Sequence, residues 1–160
     1  MIELRDLSWC FYCLRPDMEG QRCPHCGTQA DEVGWAAPCL RPGTMLQGGK
    51  YLVGRALGQG GFGITYLGVH LALNKRVAIK EYYPDRLART RTGGCAVTPK
   101  ADPELEALYR QGLEQFQEEG RRIVHFMHPN IVRATDYLEE NGTAYLVMDY
   151  VDGVSLQKYL

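Results

Sequence analysis

This 160-residue chain carries 18 basic and 19 acidic side chains, a formal charge of −1, so it lacks the positive field with which nucleic-acid-binding proteins gather phosphates. Its length suits one domain of moderate size with a small appendage, and no stretch approaches the roughly 20 apolar residues of a membrane helix. The first residues, Met-Ile-Glu-Leu-Arg-Asp-Leu, hold no apolar run of the secretory type, so a reducing, cytoplasmic setting is expected for the cysteines.

Near the start stand Cys10-Phe-Tyr-Cys13 and Cys23-Pro-His-Cys26-Gly27, two C-x2-C turns with nine residues between them. Each turn can offer two thiolates to one tetrahedral ion, and a glycine after the last cysteine suits the tight turn beneath its sulfur. Some thirty residues cannot bury a self-sufficient core, whereas a structural zinc ion contributes on the order of 10 kcal/mol to such a fold. Residues 1–30 are therefore expected to form a zinc-ribbon-like module with Cys10, Cys13, Cys23 and Cys26 as ligands. The same thiolates would hold iron, and an oxidising compartment would instead pair them as disulfides. His25 is expected to be a bystander, and Cys39 and Cys95 to be free thiols. The segment sets three arginines against four carboxylates, which argues against nucleic acid and for a regulatory or protein-docking role.

Residues 31–48, with Pro38, Pro42 and Gly43, read as a linker. Beyond it, Tyr51 to Leu57 alternates in the manner of a strand, Leu57-Gly58-Gln59-Gly60-Gly61-Phe62-Gly63-Ile64-Thr65-Tyr66 follows, and Ile64 to His70 is again rich in strand formers. The glycines thus join two strands as a hairpin flap. A dinucleotide-binding turn would instead lead into a helix, and a P-loop would place Lys and Ser or Thr after its last glycine, where this chain has Ile64 and Thr65. Without a Cβ, Gly58, Gly60 and Gly63 let backbone N–H groups approach phosphate oxygens and permit dihedrals that other residues avoid. Val77-Ala78-Ile79-Lys80 then adds a strand-borne point charge for the same oxygens. Together these features point to a nucleotide triphosphate.

The stretch from Asp85 to Lys100, with Arg86, Arg89, Arg91 and Lys100 around Gly93-Gly94, is expected to be a mobile loop, either merely solvated or meeting an acidic substrate or partner. A helix is predicted from about Asp102 to Phe126, with Asp102 as N-cap, Pro103 at the first position and Glu104 and Glu106 in the first turn. Phe116, Glu119 and Ile123 share one face, which is expected to pack inward, while Gly112 and Gly120 weaken the helix. Pro129 is expected to stop it. Ile131 to Leu138 and Thr143 to Val151 flank Asn141-Gly142, a pair suited to a tight hairpin.

From these motifs the chain resembles the bacterial serine/threonine protein kinases over about residues 50 to 160, above all in the run Val77-Ala-Ile-Lys-Glu-Tyr-Tyr-Pro84. The resemblance implies an α+β fold: an antiparallel five-stranded N-lobe sheet with one major helix, occupying 49–160 after the ribbon and the linker. It implies that Glu119 holds Lys80 for catalysis. It further implies that Leu57, Thr65 and Ala78 cover adenine, Met148 is the gatekeeper, and the Asp149 carbonyl and Val151 N–H bond the purine edge. Thr65 stands where valine is usual. ATP, magnesium and a protein serine or threonine would then be the reactants. Neither a His-Arg-Asp nor an Asp-Phe-Gly motif occurs, so the expectation is an N-lobe inactive by itself. The alternative is a non-catalytic nucleotide-binding or adaptor module docked through its ribbon.

Overall fold

The computed structural model describes residues 8–91 and 94–160. Six strands form one antiparallel sheet: β1 (Met45–Leu46), β2 (Tyr51–Gly60), β3 (Gly63–His70), β4 (Lys75–Tyr82), β5 (Ala134–Glu140) and β6 (Thr143–Asp149). Among the described residues a single long helix, α1 (Pro103–Ile123), lies between β4 and β5. The sheet order is β1-β2-β3-β4-β6-β5.

The sixth strand corrects the expectation of five. Met45 and Leu46 pair with Leu52 and Tyr51 across a tight turn in which Gln47, Gly48 and Gly49 all take positive φ. Two glycines in three residues make that turn accessible, so the end of the expected linker becomes an edge strand. The rest of the linker is also fastened down. Leu40 and Leu46 are buried, and the Leu40 N–H donates to Tyr66 Oη at 3.0 Å.

Hairpin chemistry behaves as the sequence suggests at Asn141-Gly142, where both residues take positive φ (58° and 70°) between β5 and β6. Strand β5 begins at Ala134 and β6 ends at Asp149, each shorter than expected at its open end. The helix starts as its cap requires, with Asp102 Oδ1 accepting from the N–H groups of Glu104 and Leu105 at 2.9 and 3.1 Å. It ends at Ile123, well before Pro129, and the chain then tightens through bonds from His125 N–H to Arg122 and from Phe126 N–H to Ile123. Phe126 and Met127 are exposed, so nothing rewards a further helical turn.

The two helix glycines serve packing rather than weakness. A Cβ on Gly112 would run into the Tyr82 hydroxyl, and one on Gly120 would lie 2.8 Å from Tyr137 Cδ2. Their absence lets α1 settle against Tyr82 and Tyr137, with the rings of Phe116 and Tyr82 5.7 Å apart.

A second correction concerns residues 85–100. Leu87, Ala88 and Val97 pack on the core, and backbone bonds join Arg89 to Thr98, Lys100 to Leu87 and Val97 to Asn141. The fastening is a buried ion pair: Arg91 Nη2 lies 2.6 Å from Glu81 Oε1, with both side chains nearly inaccessible. Glu81 also accepts from Tyr66 Oη at 2.7 Å and Tyr145 Oη at 3.1 Å. Burial pushes the Glu81 carboxyl above its usual range, against the opposing pull of Arg91 and the two phenols. Gly93 lies outside the described residues.

Candidate functional site

Strand register decides which side chains can meet one ligand. Thr65 pairs with Lys80 and Lys80 with Leu146, while Leu67 pairs with Ala78 and Ala78 with Met148. Partners in an antiparallel ladder project to the same face, as do residues two apart along a strand. Thr65, Ala78, Lys80 and Met148 therefore share one face of the sheet. Ile79, Tyr66 and Val147 form the opposite row and are fully buried.

On that face Lys80 opens into a cavity of about 640 Å³ between the β2–β3 hairpin and α1. Its walls include Gly61 and Phe62 of the hairpin, Tyr82, and Gln115, Phe116 and Glu119 of the helix. The expected amine and acid thus reach one cavity. They do not form an ion pair among the described residues, and Glu119 is exposed rather than packed inward. The physical reason lies one turn away, where Phe116 rests on Tyr82 and holds the helix by its apolar contacts. Arg122 forms a 3.6 Å pair with Glu118, the neighbouring acid, on the solvent side.

The glycines of the hairpin differ in their work. Positive φ is absent at Gly58, Gly60 and Gly63, so the expected unusual dihedrals do not occur. Open space surrounds the positions a Cβ would take on Gly58 and Gly60, whereas one on Gly63 would strike the Glu81 carbonyl of β4. Gly63 is thus needed for close strand approach, whereas a side chain at either of the other two would meet only open space. Leu57 at the base of the hairpin is 37% exposed and Phe62 at its tip 83% exposed, so both have apolar surface free for contact. Beyond Met148, the Asp149 carboxylate is held by Lys75 Nζ at 2.7 Å, and Val151 is exposed outside any strand.

The second cluster consists of Cys10, Cys13, Cys23 and Cys26, whose sulfurs all lie within 4.8 Å of one another. The contacts run across the two turns, Cys10 to Cys26 and Cys13 to Cys23, each at 3.7 Å. A tetrahedral ion bound at about 2.3 Å to each sulfur sets the sulfurs about 3.8 Å apart, so the cage fits a thiophilic cation. All four are free thiols, as are the half-buried Cys39 and Cys95. Burial pushes the Cys13 thiol up to about 12. Burial also opposes ionisation at Cys26, but bonding to Thr28 and to the neighbouring thiols outweighs it and brings Cys26 down to about 6. Gly27 has the positive φ (74°) expected beneath the last ligand. His25 is exposed and lies outside the cluster.

What the sequence did not reveal is where this cysteine module sits. Leu14, next to Cys13, is buried against Leu52, Leu67 and Val69, with Trp9, Phe11 and Tyr150 around them. Leu67 shares its face with Ala78, so the module rests on the same side of the sheet as Lys80. Gly54, which makes room for Leu14, is unremarkable in the sequence and does not signal that contact.

The sequence profile of the protein kinase domain matches residues 51–160. The serine/threonine-protein kinase pkn2 of Myxococcus xanthus is 34% identical over 121 residues, covering 76% of this chain and 12% of that protein. The serine/threonine-protein kinase PrkC of Bacillus subtilis is 30% identical over 112 residues, covering 70% of this chain and 14% of that protein. The chain therefore spans a small part of the curated relatives it matches. Among solved structures, PpkA in its apo form aligns with a TM-score of 0.68 at 31% identity, covering 75% of this chain and 41% of that one. The Mycobacterium tuberculosis PknI kinase domain aligns with a TM-score of 0.51 at 27% identity, covering 76% of this chain and 39% of that one. No helix among the described residues is long and apolar enough to cross a membrane.

Proposed function

The chain belongs to the protein kinase family, and from that premise we propose that residues 49–160 are the ATP-binding lobe of a serine/threonine kinase, with residues 1–30 as a zinc ribbon joined through 31–48. The observation that carries this reading is the convergence of the hairpin, Lys80 and Glu119 on one cavity. Lys80 Nζ neutralises phosphate oxygens, the missing side chains at Gly58 and Gly60 leave the phosphates room against the flap, and the N–H groups of Gly61 and Phe62 at its turn, outside the strand ladder, add hydrogen bonds. Glu119 orients Lys80 once α1 swings inward, a motion that Phe116 and Tyr82 resist in the present arrangement. Leu57, Thr65 and Ala78 sandwich the purine, Met148 limits the depth of its pocket, and the Asp149 carbonyl and Val151 N–H read its edge.

In the whole kinase the terminal phosphate passes to a protein serine or threonine hydroxyl, with magnesium and a base aspartate held by motifs that these 160 residues do not contain. Zinc at Cys10, Cys13, Cys23 and Cys26 supplies a cross-link that holds the two knuckles together. The chain's lack of excess positive charge supports protein rather than nucleic-acid partners, and its free thiols suit the cytoplasm. The family match favours the kinase over an adaptor. Replacing Lys80 with Met in the complete enzyme is the test: phosphorylation of serine and threonine is expected to vanish while thermal stability stays unchanged, and undiminished turnover would remove Lys80 from the reaction.

A further inference from the structure

The turn that gathers the thiols also aims an apolar side chain. Leu14 follows Cys13 with a positive φ of 48°, and its N–H bonds to the Cys10 carbonyl at 2.8 Å. The hydrogen bond that closes the first knuckle therefore fixes the direction of Leu14. That side chain is 1% exposed and fills the space above Gly54, where an added Cβ would come within 2.9 Å of Leu14 Cγ and Cδ1 and of the Phe11 carbonyl oxygen. Next along the strand, Arg55 Nε donates to the Tyr12 carbonyl at 3.0 Å, and its guanidinium lies 4.6 Å from the centre of the Tyr12 ring.

Three knuckle positions, Phe11 and Tyr12 between the first two cysteines and Leu14 after them, thus grip Gly54 and Arg55. The gripped strand is β2, which runs on through Leu57, Gly58 and Gly60 to form the hairpin over the cavity. Tyr150, just past β6 where the purine edge is placed, packs on the same apolar cluster. Among the described residues the knuckle has no buried core of its own beyond Leu14 and the cysteines, so its shape depends on what holds the sulfurs.

We propose that the four-cysteine module is a metal-dependent brace of the nucleotide-binding sheet: a thiophilic divalent cation fixes the knuckle, the knuckle seats Leu14 over Gly54, and removal of the ion loosens β2 and its hairpin. This rests on the reading of the cysteines as a metal site. It assigns the module an intramolecular seat, on the face that carries Lys80, where the sequence suggested a surface for a foreign partner.

The test uses the full chain, loaded with zinc or stripped by a chelator, and reads metal content together with amide hydrogen exchange. Stripping is expected to speed exchange in residues 52–60 by about tenfold or more, while amides of α1 from Tyr109 to Gly120 stay unchanged, because local opening follows the contacts that are lost. In Leu14→Ala, and independently in Gly54→Ala, the protein is expected to retain about one ion per chain and yet to exchange rapidly at 52–60 whether loaded or stripped. Bound metal with no effect of its removal on residues 52–60 would overturn the brace while leaving the metal site standing. A protein that takes up no metal would overturn both.

Discussion

Replacing Arg91 with Met should expose how the β4–α1 connection is held. Arg91 and Glu81 are 3% and 0% exposed, and only 2.6 Å separates Nη2 from Oε1. Removing the guanidinium leaves a buried carboxylate with two phenols as its remaining donors. Breaking a buried pair from one side costs about 3–5 kcal/mol, a large part of the 5–15 kcal/mol that a domain typically has. The cost depends on pH. Burial already raises the Glu81 pKa and Arg91 is the foremost influence opposing it, so the variant's carboxyl should titrate higher still. A folded-state pKa above the unfolded value means that stability is retained at low pH and lost as pH rises through the folded pKa. The deficit relative to the parent should therefore be small near pH 4 and full near pH 8. Combining Arg91→Met with Glu81→Gln keeps an acceptor for only one of Tyr66 and Tyr145, which bond different oxygens of the carboxylate, but removes the stranded charge, and should recover about 1–2 kcal/mol of the loss. Urea unfolding followed by tyrosine and tryptophan fluorescence at the two pH values measures all of this. A deficit below about 1 kcal/mol that does not change with pH would refute the buried-charge argument.

Three further outcomes are expected. Asp102→Ala removes the acceptor for two helix N–H groups and should lower stability by about 1 kcal/mol in the same assay. Gly63→Val drives a side chain into the Glu81 carbonyl across the strands, which should cost about 1–3 kcal/mol and weaken binding of a fluorescent ATP analogue; unchanged binding and stability would contradict the close approach seen there. Elemental analysis of untagged protein should find about one zinc per chain, and a chelator should lower the melting temperature; metal-free protein with the same melting temperature would overturn the assignment of the cysteines.

Local chemistry was legible in the sequence, and contacts across distance were not. The N-cap at Asp102, the Asn141-Gly142 turn and the two knuckles each depend on neighbours within a few residues, so residue type and spacing carry them. In the sequence Arg91 resembles the other, solvated cations of its loop, because its partner stands ten residues earlier, next to Lys80 in β4. Gly112 and Gly120 looked like helix weakeners because the rings they make room for come from β4 and β5. Likewise, a glycine in the middle of β2 says nothing by itself about a leucine forty residues away. Lys80 and Glu119 were recognisable as a pair by resemblance, yet the position of α1 is set by Phe116 on Tyr82, a packing choice that the motif does not encode.

The central claim, that the hairpin and Lys80 surround a triphosphate, is tested most directly by an acyl-phosphate derivative of ATP, which acylates any lysine held beside its phosphates. The chain has five lysines, at 50, 75, 80, 100 and 158, so mass spectrometry can rank them all in one experiment. Selective labelling of Lys80 that excess ATP suppresses is the predicted result. Equal labelling of the five, indifferent to ATP, would contradict the account.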